Sequence, residues 1–230
     1  MKLPRKNPVL ILALVLTIAT VAVPSARADL VGTVPTPPTA TTFPGLVPSG
    51  TSAGTLLATE SVPFTTSPGT SGILDAAVYR ESGGTLDFYY QVFNNAKSID
   101  SIARETDTNF SGFTTATGYR TDGSTLTGTS FVNGTVIPVT SDRNSVGDVV
   151  GFSFNPPDTA KIAPGQASDV FIISTNATRF TTGTAALIDG GSVNLSAYQP
   201  SAVPEPKILI PLAMGLLALV GTAKHRARRI

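Results

Sequence analysis

The chain contains no cysteine, no tryptophan and a single histidine, His225, among its 230 residues. Without cysteine it can form no disulfide, no thiolate nucleophile and no thiolate metal site. His225 lies in the basic C-terminal tail, so the body of the chain cannot build a Ser-His-Asp triad, a Cys-His dyad or a histidine-ligated zinc site. We therefore expect no enzymatic activity, no cofactor and no metal site. A body of about 170 residues is long enough to be held by its apolar core alone.

Positive charge is also scarce in the body of the chain. Residues 29–200 contain seven Lys and Arg against fourteen Asp and Glu, which gives this part a net charge of −7. The other basic residues lie in the two ends. An acidic body with no basic stripe does not attract a phosphate backbone, so we expect no nucleic-acid partner.

The N-terminal segment has the form of a secretory signal peptide. Basic residues precede an uninterrupted apolar run over residues 9–23, and a small-residue A-x-A site follows the run. The basic residues are Lys2, Arg5 and Lys6, and the cleavage site consists of Ala26, Ala28 and the following Asp29. This pattern predicts an exported protein whose mature chain begins at Asp29.

Composition divides the chain into four segments. After the signal peptide, Pro, Thr and Gly dominate and neither the helical nor the strand period survives, which is typical of a linker or a loosely ordered arm. The predicted segments are a signal peptide at 1–28, a Pro/Thr-rich arm at 29–54, a globular body at 55–200 and a C-terminal segment at 201–230.

Short β-branched and aromatic runs, separated by Gly, Pro, Asn and Asp, fill the body. Residues 86–93 alternate so that Leu86, Phe88, Tyr90 and Val92 share one face, and residues 150–154 alternate in the same way. Residues 170–173 form a continuous apolar run. Further strands are expected over residues 56–64, 110–120, 185–188 and 193–197, and a short helix over residues 98–104.

Many short strands of this kind predict an all-β fold, namely an antiparallel β-sandwich of immunoglobulin-like or jelly-roll-like form. It would be flanked by the signal peptide and by a C-terminal transmembrane helix. We expect Phe88, Phe152 and Phe171 in its core. Two β-hairpins are predicted, one at Ser82-Gly83-Gly84 and one at Asn133-Gly134, where Asn-Gly suits a type I′ turn.

The C-terminal segment combines three features in a fixed order. Val203 precedes the tripeptide Pro204, Glu205 and Pro206, an apolar stretch covers residues 208–223, and a basic tail follows. The basic residues of the tail are Lys224, Arg226, Arg228 and Arg229. This arrangement resembles the PEP-CTERM sorting signal of Gram-negative bacteria. The resemblance implies processing by a membrane-embedded exosortase near the tripeptide, followed by release or attachment at the outer surface.

Membrane physics leads to the same interpretation. Sixteen helical residues span roughly 24 Å, less than the ~30 Å hydrocarbon core, so the apolar stretch would be a marginal anchor suited to transient insertion in the inner membrane. The basic tail would stay on the cytoplasmic side by the positive-inside rule. Glu205 and its flanking prolines would then lie at the outer face, in the extended form that a processing enzyme can grip.

Three patterns in the body suggest chemistry, and each has a simpler interpretation. Glu105, Asp107 and Asn109 alternate like the start of a calcium loop, but Phe110 stands where the loop glycine should be, so we expect a solvated strand face. Fourteen acidic residues could supply a glycosidase pair, but the sequence selects none. Tyr89 could expose its ring for sugar stacking, although packing within a sandwich is favoured.

We therefore expect a protein delivered to the cell surface or the extracellular matrix, with a structural or adhesive role and extracellular polysaccharide as a candidate contact. One alternative is a carbohydrate-binding or calcium-dependent binding module, which an exposed groove lined by aromatic rings would favour. The other is a hydrolase, which two close, buried and mutually perturbed carboxylates would favour.

Overall fold

The computed structural model describes residues 34–35, 53–66, 69–188 and 191–202 of the chain. These residues form β-strands joined by turns, with two short 3-10 turns at Gly123–Thr125 and Asp158–Ala160. The strands are β1 (Val34–Pro35), β2 (Thr55–Thr65), β3 (Ser71–Arg80), β4 (Leu86–Asn94), β5 (Arg104–Asp107), β6 (Thr115–Arg120), β7 (Thr140–Arg143), β8 (Val150–Ser153), β9 (Val170–Thr175), β10 (Phe180–Ile188) and β11 (Ser192–Pro200).

The strands build two antiparallel sheets that pack face to face. One sheet has the order β1-β6-β9-β4-β3-β2, and the other has the order β11-β10-β5-β8-β7. Side chains alternate between the two faces of each strand, so the apolar set of each sheet turns toward the other sheet. The predicted all-β sandwich is confirmed at this level.

Aromatic rings fill the space between the sheets. Phe88, Phe152 and Phe171, the three residues predicted for the core, are all buried. The rings of Phe152 and Phe171 join the two sheets with their centroids 4.6 Å apart. Tyr90, the cross-strand neighbour of Phe171, stacks on its ring with the centroids 5.9 Å apart. Because no disulfide is available, this contact between sheet faces carries the stability of the body.

The first predicted hairpin is confirmed. It joins β3 to β4, with Arg80 opposite Leu86, and the turn is closed by hydrogen bonds from Glu81 N to Thr85 O and from Gly84 N to Glu81 O, both 2.9 Å. Gly84 adopts a positive φ of 86°, which glycine tolerates without strain.

The second predicted hairpin and the predicted helix are wrong. The Asn133 side chain instead accepts hydrogen bonds from the backbone and hydroxyl of Ser124. Gly134 lies against the segment that leads into β9. A Cβ on residue 134 would lie 1.8 Å from Ser168 O. The Asn133-Gly134 dipeptide therefore makes a side-chain contact with Ser124 and a close backbone approach to Ser168, and it does not form a type I′ turn. Residues 98–104 form a bend, an isolated bridge at Ile102 and the start of β5.

A second, smaller core lies on the outer face of the six-stranded sheet. The connection between β6 and β7 folds back over this face and places Leu126 and Phe131 on Tyr79, Tyr89 and Ile172. Gln91 holds the connection in place, because its side-chain amide donates to Val132 O at 2.8 Å and accepts from Val132 N at 2.8 Å.

We predict that Phe152→Ala lowers the free energy of unfolding by about 3–5 kcal/mol, because it removes a buried ring from the contact between the sheets. Denaturant unfolding would measure this loss. Val146→Ala is the control, since Val146 is 71% exposed and its truncation should change stability by less than about 0.5 kcal/mol. An unfolding midpoint for Phe152→Ala equal to that of the control would contradict the assignment of this ring to the core.

Candidate functional site

The residues predicted for sorting and cleavage lie outside the described residues, so their roles stay predictions. They are Ala26, Ala28, Asp29, Pro204, Glu205, Pro206, Lys224, Arg226, Arg228 and Arg229. No helix within the described ranges is long and apolar enough to cross a membrane. The predicted transmembrane stretch at residues 208–223 belongs to the part that is not described.

The most unusual chemistry of the described body is a pair of carboxyl groups inside the sandwich. Glu105 and Asp107 lie on the same face of β5, the middle strand of the five-stranded sheet. Glu105 is paired with Phe152 and Leu187 on the neighbouring strands, whereas Asp107 is paired with Val150 and Ala185, and all four neighbours belong to the core. The two acidic residues are only 0% and 1% exposed.

This burial corrects the solvated strand face that we expected from the sequence. The predicted strand is present, but Glu105 and Asp107 are on its buried face, and Arg104 and Thr106 occupy its outer face. Arg104 is fixed there by two hydrogen bonds to Asp142, of 2.6 and 2.8 Å, and one to Ser153 Oγ of 2.7 Å. A slip by one residue would break this pairing and turn Glu105 outward, so the Arg104 contacts set the register.

Gly151 makes room for the Arg104 side chain on the outer face. A Cβ at this position would lie 2.2 Å from Nη2 of Arg104, closer than any real contact allows. Gly151 is paired with Thr106 on β5 and with Asp142 on β7, so the guanidinium crosses directly over it to reach β7. The absence of a Cβ on residue 151 therefore leaves room for the guanidinium to lie where it binds Asp142.

Tyr90 approaches the carboxyl pair from the opposite sheet. Its hydroxyl donates a hydrogen bond of 2.6 Å to the backbone oxygen of Tyr198 on β11. The negative charge of Asp107 acts on both Tyr90 and Glu105. As ionised groups, the two carboxylates offer four oxygens, none of which finds a donor among the described residues.

Burial shifts the ionisation of the pair strongly. It raises the pKa of Glu105 well above its usual range, and the charge and hydrogen bonding of Asp107 raise it further, while Arg104 opposes the shift. Burial also raises the pKa of Asp107 well above its usual range, although its contacts with Glu105 and Tyr90 act in the other direction. The desolvation of a charge in the core is the dominant effect at both groups.

Two close and mutually perturbed carboxyls are the feature that we associated with a hydrolase. The two carboxyls of a glycosidase flank a scissile bond and stand about 5 to 9 Å apart. Those of Glu105 and Asp107 lie on one face of β5 and are enclosed by core side chains, so a substrate could reach them only if the sheets separated. In this arrangement the pair can hold protons within the fold.

Another buried carboxyl lies immediately before β9. Asp169 is 1% exposed, and neither of its side-chain oxygens has a hydrogen-bond partner among the described residues. Its backbone N–H donates to Val136 O at 2.8 Å, which holds the residue against the β6–β7 connection. Burial raises the pKa of Asp169 to about 6. Nothing in the sequence around Asp169 distinguishes it from an exposed aspartate.

The tyrosines that were candidates for sugar stacking lie in the interior. Tyr89 is fully buried in the outer core, with its ring 4.7 Å from that of Tyr79, so the packing interpretation is confirmed. Tyr90 and Tyr119 are buried as well, and Tyr198 is half-buried against Phe180. Stacking on exposed tyrosine rings is therefore not available to the described body in this conformation.

Hydroxyl and amide side chains cover two outer parts of the sandwich. They lie on the edge strand β2 and on the β10–β11 hairpin, and none of them is charged. The exposed members are Thr55, Thr59, Ser61, Thr65, Thr181, Thr182, Thr184, Ser192 and Asn194. Such side chains can donate and accept hydrogen bonds to sugar hydroxyls.

Over the described ranges, no group of three or more His, Cys, Asp or Glu side chains converges in a way that could hold a metal ion. No protein-family model, curated protein or solved structure matches the chain.

We predict that Asp169→Asn removes part of the pH dependence of stability. The folded pKa of about 6 for Asp169 lies above its unfolded value of about 3.9. The stability that protonated Asp169 contributes to the wild type is therefore complete below about pH 4 and is lost as the pH rises through 6. The variant should match the wild type in acid and exceed it by on the order of 2 kcal/mol at about pH 8.

Thermal unfolding between about pH 4 and pH 8 would measure this difference. Asp100→Asn is the matched control, because Asp100 is exposed and its substitution should leave the pH profile unchanged. A variant whose stability parallels the wild type at every pH would show that the buried Asp169 does not titrate in this range.

Proposed function

We propose that this chain is an exported protein of the cell surface or extracellular matrix, sorted through a PEP-CTERM-type signal, with a structural or adhesive role. The observation that carries the proposal is the order of three sequence features: Pro204-Glu205-Pro206, the apolar stretch at residues 208–223 and the basic tail. An exosortase-type enzyme of the inner membrane is the partner that this order implies.

The described body supports the proposal at its C-terminal end. The last strand, β11, ends at Pro200, and Ser201 is still tied to the sandwich by a hydrogen bond of 2.9 Å from its N–H to Arg179 O. Only Ala202 and Val203 separate this anchored residue from Pro204. In a membrane-inserted precursor, the sandwich would therefore lie within a few residues of the processing site.

Polysaccharide is the contact that we propose for the exported body. The uncharged Thr, Ser and Asn side chains on β2 and the β10–β11 hairpin offer many weak hydrogen bonds to sugar hydroxyls. At a surface, where many copies are held together, such weak contacts accumulate through avidity. This replaces tyrosine stacking as the physical means of contact, because the tyrosine rings of the body are turned inward or half-buried.

Among finer classes of fold, we propose a jelly-roll-like or immunoglobulin-like sandwich, which is a common form for surface proteins. A hydrolase is the second candidate, and the burial of Glu105 and Asp107 on one face of β5, where each perturbs the pKa of the other, is the observation that favours it. We place it second because both groups are enclosed by the core, so turnover would require the sandwich to open.

We predict that the mature surface species begins at Asp29 and has lost the chain beyond Pro206. Both apolar segments have the form of transient membrane signals, and both cleavage sites would face the outer compartment. Intact mass and terminal-peptide analysis of the surface fraction would measure the two ends. Recovery of peptides from residues 208–223 in most surface molecules would rule out removal of the C-terminal segment.

We further predict that deletion of the gene lowers matrix retention and cell aggregation, whereas the purified mature protein shows no turnover of polysaccharide or ester substrates. The matched control is Glu105→Gln, which should complement the deletion as well as the wild type does, because the pair is not exposed to substrate. Multiple turnovers that Glu105→Gln abolishes would overturn the non-enzymatic role and favour the hydrolase.

A further inference from the structure

The side chain of Asn133 lies at the surface with its carbonyl group held by two donors. Asn133 is exposed, and its Oδ1 accepts a hydrogen bond of 2.9 Å from Ser124 N and one of 2.8 Å from Ser124 Oγ. Its Nδ2 has no hydrogen-bond partner among the described residues. The two donors draw electron density away from the side-chain carbonyl carbon of Asn133, and nothing in the described body holds its NH₂ group.

The backbone nitrogen that follows Asn133 is also without a partner. Within the described ranges, the N–H of Gly134 donates to no acceptor, although the next two amides, Thr135 N and Val136 N, donate to Ala167 O at 3.1 and 3.3 Å. Glycine has no side chain that could shield this nitrogen. Three atoms of residue 133 separate Gly134 N from Cγ of Asn133, so an attack on that carbon closes a five-membered ring without bringing in a second molecule.

We propose that Asn133 is a self-modification site whose isoaspartyl product loosens the β6–β7 connection from the outer core. In the first step hydroxide removes the proton of Gly134 N, this nitrogen forms a bond to Cγ of Asn133, and Oδ1 takes the negative charge. The bond from Cγ to Nδ2 then breaks, and Nδ2 takes a proton from water and leaves as ammonia. In the second step one water molecule opens the ring at either of its two carbonyl carbons, which gives an isoaspartyl or an aspartyl link.

Ser124 is placed where the negative charge of this reaction develops. Its N–H and its hydroxyl both donate to Oδ1 of Asn133, the atom that becomes the oxyanion, at 2.9 and 2.8 Å. Ser124 belongs to the 3-10 turn at Gly123–Thr125, and a Cβ on residue 123 would collide with Val132 O. This close packing fixes the turn beside Asn133. Donors that are already in place lower the barrier, because they need no reorganisation when the charge forms.

Asn176 offers an internal comparison with Asn133. It is also exposed, but its Oδ1 accepts a single hydrogen bond, of 2.9 Å, from Thr114 N. The next nitrogen, Ala177 N, donates to Thr175 Oγ1 at 3.1 Å and is followed by a residue side chain instead of a bare Cα. Asn133 is also the only asparagine of the sequence that precedes a glycine. The arrangement therefore singles out Asn133 for the reaction.

The isoaspartyl link lengthens the backbone by one carbon at a point where the packing is tight. Before this point, Val132 is held by two hydrogen bonds with the side chain of Gln91, each of 2.8 Å. After it, Gly134 lies so close to Ser168 that a Cβ on residue 134 would collide with its oxygen. The longer backbone cannot keep both contacts in place. The modified connection therefore separates from the outer core and uncovers the tyrosine rings beneath it.

The reaction is tested by incubating the full chain at mildly alkaline pH and following Asn133 by peptide mapping, which separates the asparaginyl, aspartyl and isoaspartyl forms. We expect Asn133 to convert faster than Asn176. Ser124→Ala removes one of the two donors to Oδ1 and should slow the conversion of Asn133 about tenfold. Ser145→Ala is the matched control, because Ser145 is exposed in the turn between β7 and β8, and it should leave the rate unchanged.

Three results of this experiment decide the chemistry. An Asn133 that stays intact, or that converts no faster than Asn176, would overturn the proposal. So would a Ser124→Ala variant that converts as fast as the wild type or faster, because the two hydrogen bonds would then not assist the attack. Asn133→Gln should abolish the reaction at this position, since its ring would need six members, and continued loss of ammonia there would contradict the mechanism.

The structural consequence is tested by hydrogen exchange of the separated isoaspartyl chain. Its amides at Val132 and Val136, which donate to Gln91 Oε1 and Ala167 O in the unmodified chain, should lose about tenfold or more in protection, with β10 unchanged. Asn133→Asp is the matched control, because it gains the same charge but keeps the normal backbone and an acceptor for Ser124, so its protection should not change. Equal protection in the isoaspartyl and unmodified chains would contradict the release of the connection.

Discussion

The contact between two apolar sheet faces holds this body together, and every polar group on those faces has to be neutral or paired. Phe152 and Phe171 meet across the interface in a chain that has no disulfide. Where a full charge is buried, as at Arg143, backbone oxygens of Phe110 and Gly147 accept its hydrogen bonds. The carboxyls of Glu105 and Asp107 have no comparable donors among the described residues. Because burying their charge without donors is unfavourable, the pKa of each group is raised.

Periodicity was sufficient to predict much of this architecture. The alternation over residues 86–93 and 150–154 placed Phe88 and Phe152 in the core, and the continuous run over residues 170–173 marked the buried strand β9. The turn at Ser82-Gly83-Gly84 behaved as expected because local backbone preference decides it. Asn133-Gly134 did not, because tertiary contacts with Ser124 and Ser168 outweigh the intrinsic preference of the dipeptide.

The carboxyl pair could not be predicted from local pattern. An acidic residue next to threonine on a short strand has the composition of a solvated face, and the side chains of β5 have a period of two whichever face is buried. The face of β5 that is buried depends on the hydrogen bonds from Arg104 to Asp142, which lies 38 positions away. Gly151 leaves the space for this contact. Such a long-range contact leaves no trace in the sequence near Glu105.

The hydrogen bond from the Tyr90 hydroxyl to Tyr198 O ties β11 to the opposite sheet, and β11 ends shortly before Pro204. The most direct test of the account's central claim is the pH at which Glu105 and Asp107 ionise in the folded full chain. Carboxyl ¹³C chemical shifts, assigned with Glu105→Gln and Asp107→Asn, would measure it. We predict that both carboxyls ionise at a higher pH than exposed Glu and Asp carboxyls do, because burial raises the pKa of each, and ionisation at the pH of exposed carboxyls in the folded protein would contradict the account.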